Sequence, residues 1–281
     1  MASTEQGNIF LKAISGSRRE SIIGNYHALA GSFLQQWRYV RRTASFANFI
    51  IAGIPNVIIL AWIANRSDNP LAITYIAVGS SLMLVWTNAV FRMGWALSNE
   101  RGGGLLDASL VSRTPLIVMM LGKSLALCFF SLLTGAGAFI MILLASDHVI
   151  SIANLPLAIV SLLITLFVMI TAGFIFSPVT VLVGEPSGLF ATVMPFGVVF
   201  SGFLYPINIL PEALQFVARG LPTSWAMEGL IMATTGSGST GEIFGRWGIA
   251  LGLAVVYLFV TQILFRVVEK RVRVTAALTT F

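Results

Sequence analysis

The 281 residues hold one cysteine and two histidines. Cys128 sits alone inside an apolar run, so the chain has no internal disulfide and no cysteine-based metal cluster, and the sequence gives no sign of a redox compartment. Charge is scarce as well: 10% of residues are Asp, Glu, Lys or Arg, against about 25% in an ordinary globular domain. With 57% hydrophobic residues and a mean hydropathy of +0.89, so few charges cannot cover a water-facing globule. The solvent for most of this surface is lipid. The charge that is present sums to +6, yet the basic residues flank apolar segments instead of forming a patch interleaved with stacking aromatics. That pattern argues against nucleic acid and for a membrane surface.

Crossing about 30 Å of hydrocarbon at 1.5 Å per residue takes roughly 20 apolar residues. Six stretches qualify, at about 44–64, 71–95, 124–145, 152–176, 188–205 and 247–265. They lack the period-two alternation of a barrel, and lipid leaves backbone polar groups no partner outside a helix. The expected fold is an all-α membrane protein with six transmembrane helices. A cytoplasmic N-terminus puts all but three of the 17 Lys and Arg on the inner side, leaving Arg66, Arg219 and Arg246 outside. Both termini are then cytoplasmic, in a multi-pass protein of the plasma (inner) membrane. The polar first 40 residues predict no signal peptide.

Before the first span, Ile23, Tyr26, Ala30, Phe33, Leu34 and Trp37 recur at helical spacing, with Asn25, Ser32, Gln35, Gln36 and Arg38 elsewhere around the wheel. An N-terminal amphipathic interfacial helix is expected over 21–43, with Arg38, Arg41 and Arg42 at the headgroups beside Trp37 and Tyr39. The remaining divisions are a polar cytoplasmic segment, 1–20, a six-helix transmembrane domain, 44–268, and a cytoplasmic tail, 269–281.

Two connections are unusual. Residues 96–114, ALSNERGGGLLDASLVSRT, place a charged pair and a glycine run before a short segment carrying Leu105, Leu106 and Asp107. A small apolar helix rimmed by charge suits docking on a partner better than a bare connector. Residues 206–245 begin PINILPEALQFVARGLPTSW, too apolar for a free loop, while Pro206, Pro211 and Pro222 cut them too short to span. Short re-entrant helices capping the outer mouth are expected, followed by a flexible polar linker at 234–241.

Glu100, Arg101, Gly104, Leu105, Leu106, Asp107, Leu110, Ser112 and Pro115 resemble the Glu-Arg, Gly-Thr-Leu-Glu, Leu-Leu and Ser-x-x-Pro pattern of the ABC-2 type transporter permeases. Leu105 stands where that family commonly has Thr, and Asp107 close to where it has Glu. Ser201, Gly202, Tyr205, Pro206, Leu210, Pro211 and Pro222 are similar to the segment these permeases carry before the last span. The resemblance runs from about Ser21 onward. It implies an exporter in which two permease chains, identical or similar, pair and each rests on a cytoplasmic ATP-binding cassette subunit that holds ATP and Mg. It also implies that Glu100, Arg101, Leu105, Leu106, Asp107 and Arg113 couple to that subunit, and that Tyr205, Pro206, Pro211 and Pro222 belong to an external gate between spans five and six.

The residues agree that the motor is elsewhere. Gly122-Lys123-Ser124 lacks the earlier glycine of a P-loop, Ile117 standing in its place, and it opens an apolar run instead of following a strand. Lys123 is expected to snorkel to the cytoplasmic interface. No Asp, Glu or His falls within the six spans, which disfavours an ion-driven carrier. His27 and His148 fall on opposite sides, so they share no metal or catalytic site. For the route itself, Asn48 and Asn56, Ser81 and Asn88, and Phe196 and Phe200 near Thr192 form sets that each share a helix face. Taken alone, such residues are better explained by interhelical packing, but the resemblance implies that the first, second and fifth spans line the path. Amides, hydroxyls and Phe suit a hydrophobic or amphipathic cargo: a drug, an antibiotic or a lipid-like molecule. The alternatives are a lipid-linked polysaccharide exporter and, from another class, a passive channel or structural membrane subunit.

Overall fold

The computed structural model describes residues 23–42, 69–102, 116–145, 152–183 and 195–278, with single positions between 55 and 66. Every regular element among them is helical. Helix α1 covers 23–42, α2 Pro70–Gly102, α3 Leu116–Ala145, α4 Leu155–Phe174, α5 Phe176–Val183 and α6 195–200. A 3-10 turn, Ile207–Ile209, leads into α7 (Glu212–Arg219), α8 (Pro222–Thr235) and α9 (Thr240–Leu278). Four stretches are long and apolar enough to cross a membrane: Ala72–Val90 in α2, Leu116–Leu144 in α3, Leu155–Thr180 through α4 and α5, and Thr240–Arg271 in α9. The chain is an integral membrane protein. Apart from single positions, the expected span at 44–64 lies outside the described residues, and that at 188–205 is described only from 195.

Several boundaries differ from the sequence reading. Helix α3 starts at Leu116 rather than near Ser124, so Lys123 does not sit at the helix end but lies 5% exposed two turns inside. Helix α1 crosses α3 here, because a Cβ on Gly122 would come 2.3 Å from the Leu29 carbonyl oxygen. The glycine of the false P-loop is thus a packing contact. Helix α9 starts at Thr240, and the expected flexible linker is a structured turn. Gly236, at φ 70°, closes α8 with its N–H on the Met232 carbonyl. Ser239 and Glu242 then cap α9 reciprocally: the Ser239 N–H donates to Glu242 Oε2 at 2.8 Å and the Glu242 N–H to Ser239 Oγ at 3.3 Å. Helix α4 breaks after Phe174 because Pro178 has no N–H and its ring crowds the Phe174 carbonyl.

Helices α2 and α3 run antiparallel. Ala77 packs with Ala138 and Ile142 near one end, and Ala89 and Met93 with Leu127, Cys128 and Phe130 near the other. The central core joins Trp86 and Val90 of α2 to Leu166 and Met169 of α4 and to Phe203, Met227 and Leu230 further along the chain. Among the four spans α2 is the most enclosed and α9 the least, with Val255, Val256 and Phe259 outward. Helix α1 meets the bundle through buried Ser32 and Val40, with the Trp37 ring 4.4 Å from that of Phe130. Ile23, Tyr26 and Leu34 of its apolar stripe point away from the bundle. In lipid an apolar stripe has no reason to seek protein, whereas small residues let backbones approach.

Candidate functional site

The region from Ser201 to Arg246 holds most of the described polar chemistry, and α2 fastens its beginning. Gly79 has no space for a side chain, since an added Cβ would lie 1.8 Å from the Phe203 carbonyl oxygen. One turn earlier the Tyr75 hydroxyl donates to the Gly202 carbonyl at 2.5 Å. Gly202 itself adopts φ +72°, the left-handed region open to glycine at little cost. On the other side, the fully buried Ser201 and Thr223 hydroxyls share a 2.7 Å hydrogen bond. The turn at 201–205 is therefore clamped between the first half of α2 and the start of α8.

The residues singled out as an external gate fall at the joints of this region. The Tyr205 hydroxyl donates to the Val199 carbonyl at 3.1 Å. Pro206 caps the 3-10 turn, Pro211 caps α7, and Pro222 is the first residue of α8, where a missing N–H costs nothing. Phe196 and Phe200 pack with their rings tilted at 44° and centroids 4.3 Å apart. Phe200 is buried against Ile207 and Ala218, while Phe196 stays 46% exposed.

A charged cluster that the sequence reading did not assemble lies beside these joints. Glu228 of α8 binds Arg219 of α7 at 2.6 Å and Arg246 of α9 at 3.3 Å. Both guanidinium groups also stand over the Trp225 ring, 4.4 and 4.9 Å from its centroid, and the Trp225 indole N–H donates to the Arg219 carbonyl at 2.9 Å. Three helices are thus tied through one carboxylate and one indole. The available signal was Glu228 itself, an acid in an otherwise uncharged helix.

The other proposed route residues are placed unevenly. Asn88 is buried and its amide donates to Thr134 Oγ1 of α3 at 3.2 Å, a bond between neighbouring spans. The Ser81 hydroxyl donates to the Ala77 carbonyl at 2.7 Å, and the residue also lines a cavity of about 300 Å³ between α2, α3, α4 and α8. Asn48, Asn56 and Thr192 lie outside the described residues, as do Leu105, Leu106, Asp107 and Arg113. Helix α2 carries the backbone of Glu100 and Arg101 in its last turn, and their side chains are outside the description. Glu269 of α9 accepts from the Leu116 N–H at 3.2 Å, which ties the start of α3 to the last helix. Among the described residues no group of three or more His, Cys, Asp or Glu converges.

Residues 41–262 match the family described as ABC-2 family transporter protein. Over 185 residues, 64% of this chain, the sequence is 29% identical to the linearmycin resistance permease protein LnrN of Bacillus subtilis (strain 168). The matched stretch is 46% of that relative, so the chain spans about half the length of the protein it resembles. A match across most of the chain, joined to apolar helices of spanning length, is decisive for class: the chain belongs to the ABC-2 family of transporter proteins, as a membrane permease.

Proposed function

We propose that this permease is the membrane half of an ATP-driven exporter. Two such chains, identical or similar, pair, and each rests on a cytoplasmic ATP-binding cassette subunit that binds ATP and Mg. The cargo is hydrophobic or amphipathic, and it moves from the cytoplasm or inner leaflet to the outside by alternating access. The observation that carries this reading is the family match over 41–262. The resistance named in the Bacillus relative supports a toxic cargo and outward transport.

The proposed arrangement has six spans and both termini in the cytoplasm, with 96–114 as the coupling element. Its mechanical link is α2. At 33 residues this helix is about 50 Å long, well beyond the ~30 Å of hydrocarbon, which supports a cytoplasmic extension ending at Glu100 and Arg101. Leu105, Leu106, Asp107 and Arg113 complete the contact with the motor, apolar at the centre and charged at the rim. The far end of the same helix holds the 201–205 turn through Gly79 and Tyr75. Closure of the motor around ATP tilts α2, and the tilt is delivered to the segment bearing Tyr205, Pro206, Pro211 and Pro222. Asn48, Asn56, Ser81, Asn88, Thr192, Phe196 and Phe200 border the route, and among the described ones Phe196 is the most accessible.

The test is a charge reversal, Glu100→Arg with Arg101→Glu, in the chain co-expressed with its ATP-binding subunit. The expected result is a folded permease that no longer stimulates ATP hydrolysis or exports cargo. Unchanged stimulation and export in the double variant would sink the coupling assignment.

A further inference from the structure

The cavity that Ser81 touches is a place for hydrocarbon, and we infer that an acyl chain of a membrane phospholipid occupies it, wedged between α3 and α4 against α8. Its walls come from four helices: Leu82 and Val85 of α2, Ala136 and Phe139 of α3, Ile159 and Leu162 of α4, and Leu230 of α8, among others. No described lining residue carries a charge, so nothing there answers a headgroup, a carboxylate or an ion. The two hydroxyls, of Ser81 and Thr234, are already donated to carbonyls of their own helices. Water in such a space finds too few partners, and apolar cavities of this kind stay dry.

Emptiness is the other alternative, and its size disfavours it. The cavity measures about 300 Å³ and is not sealed, its wall residue Ile159 being 50% exposed; it is roughly twice the ~150 Å³ of an engineered apolar cavity that takes up benzene. A void costs stability in proportion to its volume, because the lining atoms lose contacts on one side. Here a filler is always at hand. The cavity is walled by membrane-spanning segments of α2, α3 and α4, and its neighbours Leu133, Ile140 and Leu163 are exposed to the surrounding lipid. Among the described residues α3 and α4 also touch each other sparsely compared with α2 and α3, and that is the side from which a chain would enter. A resident chain would brace the face of α8 opposite its charged one, so the outer segment is held by ion pairs on one side and by lipid on the other. The inference needs only that the protein is embedded in a bilayer, so it stands or falls apart from the ATP-driven export reading.

The test uses full-length permease in liposomes containing phosphatidylglycerol with a photoactivatable diazirine in one acyl chain. After irradiation, labelled peptides are mapped by mass spectrometry. Label on 132–139 and 155–162 should exceed that on the ordinary lipid-facing positions Val255 and Phe259 at least five-fold. Filling the cavity from opposite walls, by Ala136→Phe or by Ile159→Trp, should bring it down to the α9 level, and unchanged α9 labelling reports that each variant is still folded. Two walls are used so that misfolding of one variant leaves the other to decide. Equal labelling of cavity and α9, or filling variants that change nothing, would overturn the inference. Cavity labelling that disappears when two chains are held together by cross-linking would give the site to a second copy of the chain and overturn it too.

Discussion

Replacing Gly79 with alanine puts a Cβ 1.8 Å from the Phe203 carbonyl oxygen, where ordinary contact begins at 3.4 Å, so the two backbones must part by about 1.6 Å. The obstacle is main chain, not a side chain that can swing aside. Overpacking of this kind costs about 1–3 kcal/mol. The displacement also strains the Tyr75 bond to the Gly202 carbonyl, worth about 1 kcal/mol, for an expected loss of about 2–4 kcal/mol. Thermal unfolding in detergent, followed by tryptophan fluorescence, reads this directly, since Trp86 packs 6.2 Å from the Phe203 ring. Gly79→Ala should melt several degrees below wild type, and export should fall further than stability alone explains, because the joint between α2 and the 201–205 turn is sprung. Gly137→Ala is the control. A Cβ there meets nothing within 4 Å, and helix propensity predicts no loss or a gain of up to ~1 kcal/mol. A Gly79→Ala protein that melts with wild type would refute the clamp.

Removing the one acid of the charged cluster should hurt more than removing either base. Glu228→Gln leaves two guanidinium groups, 30% and 31% exposed, side by side at Trp225 with no anion, an expected loss of about 1–2 kcal/mol after allowing for solvent screening. Arg219→Gln and Arg246→Gln each keep one ion pair and should cost less, and chemical unfolding that ranks the three in another order would contradict the cluster's geometry. A double-mutant cycle of Asn88→Ala and Thr134→Ala should return a coupling of roughly 0.6 kcal/mol, the usual size for a hydrogen bond between membrane helices; zero coupling would show that the 3.2 Å contact does not hold α2 to α3. Glu269→Ala removes the acceptor for the Leu116 N–H and should lower stability by about 1 kcal/mol, visible as faster hydrogen exchange in the first turn of α3.

The sequence reveals what composition alone determines. Residues in α2, α3, α4 and α9 are apolar enough that no other assignment is open to them, and the match of Ser201, Gly202, Tyr205 and Pro206 to a permease pattern falls on the turn that α2 clamps. Boundaries went astray where one charge was taken to mark the water. Lys123 lies two turns inside α3, beside the point where Gly122 admits the backbone of α1. Which residues of α1 meet the bundle was not legible from its stripe: Ser32 and Val40 are buried there, while Leu34 and Tyr26 are left outward. Glu228 stood out as a lone acid, but its tie to Arg219 and Arg246 was not legible, because the three come from three helices and no periodicity within one segment reports a contact between segments.

The central claim is that this permease moves cargo only when a separate ATPase drives it. Proteoliposomes containing the chain alone, or the chain with its ATP-binding subunit facing outward, can be supplied from the outside medium with ATP, Mg and a fluorescent amphipathic dye as cargo. The account predicts dye accumulation only in the complete assembly, lost when the ATPase carries a hydrolysis-blocking substitution. Dye flux through the chain alone, indifferent to nucleotide, would contradict it.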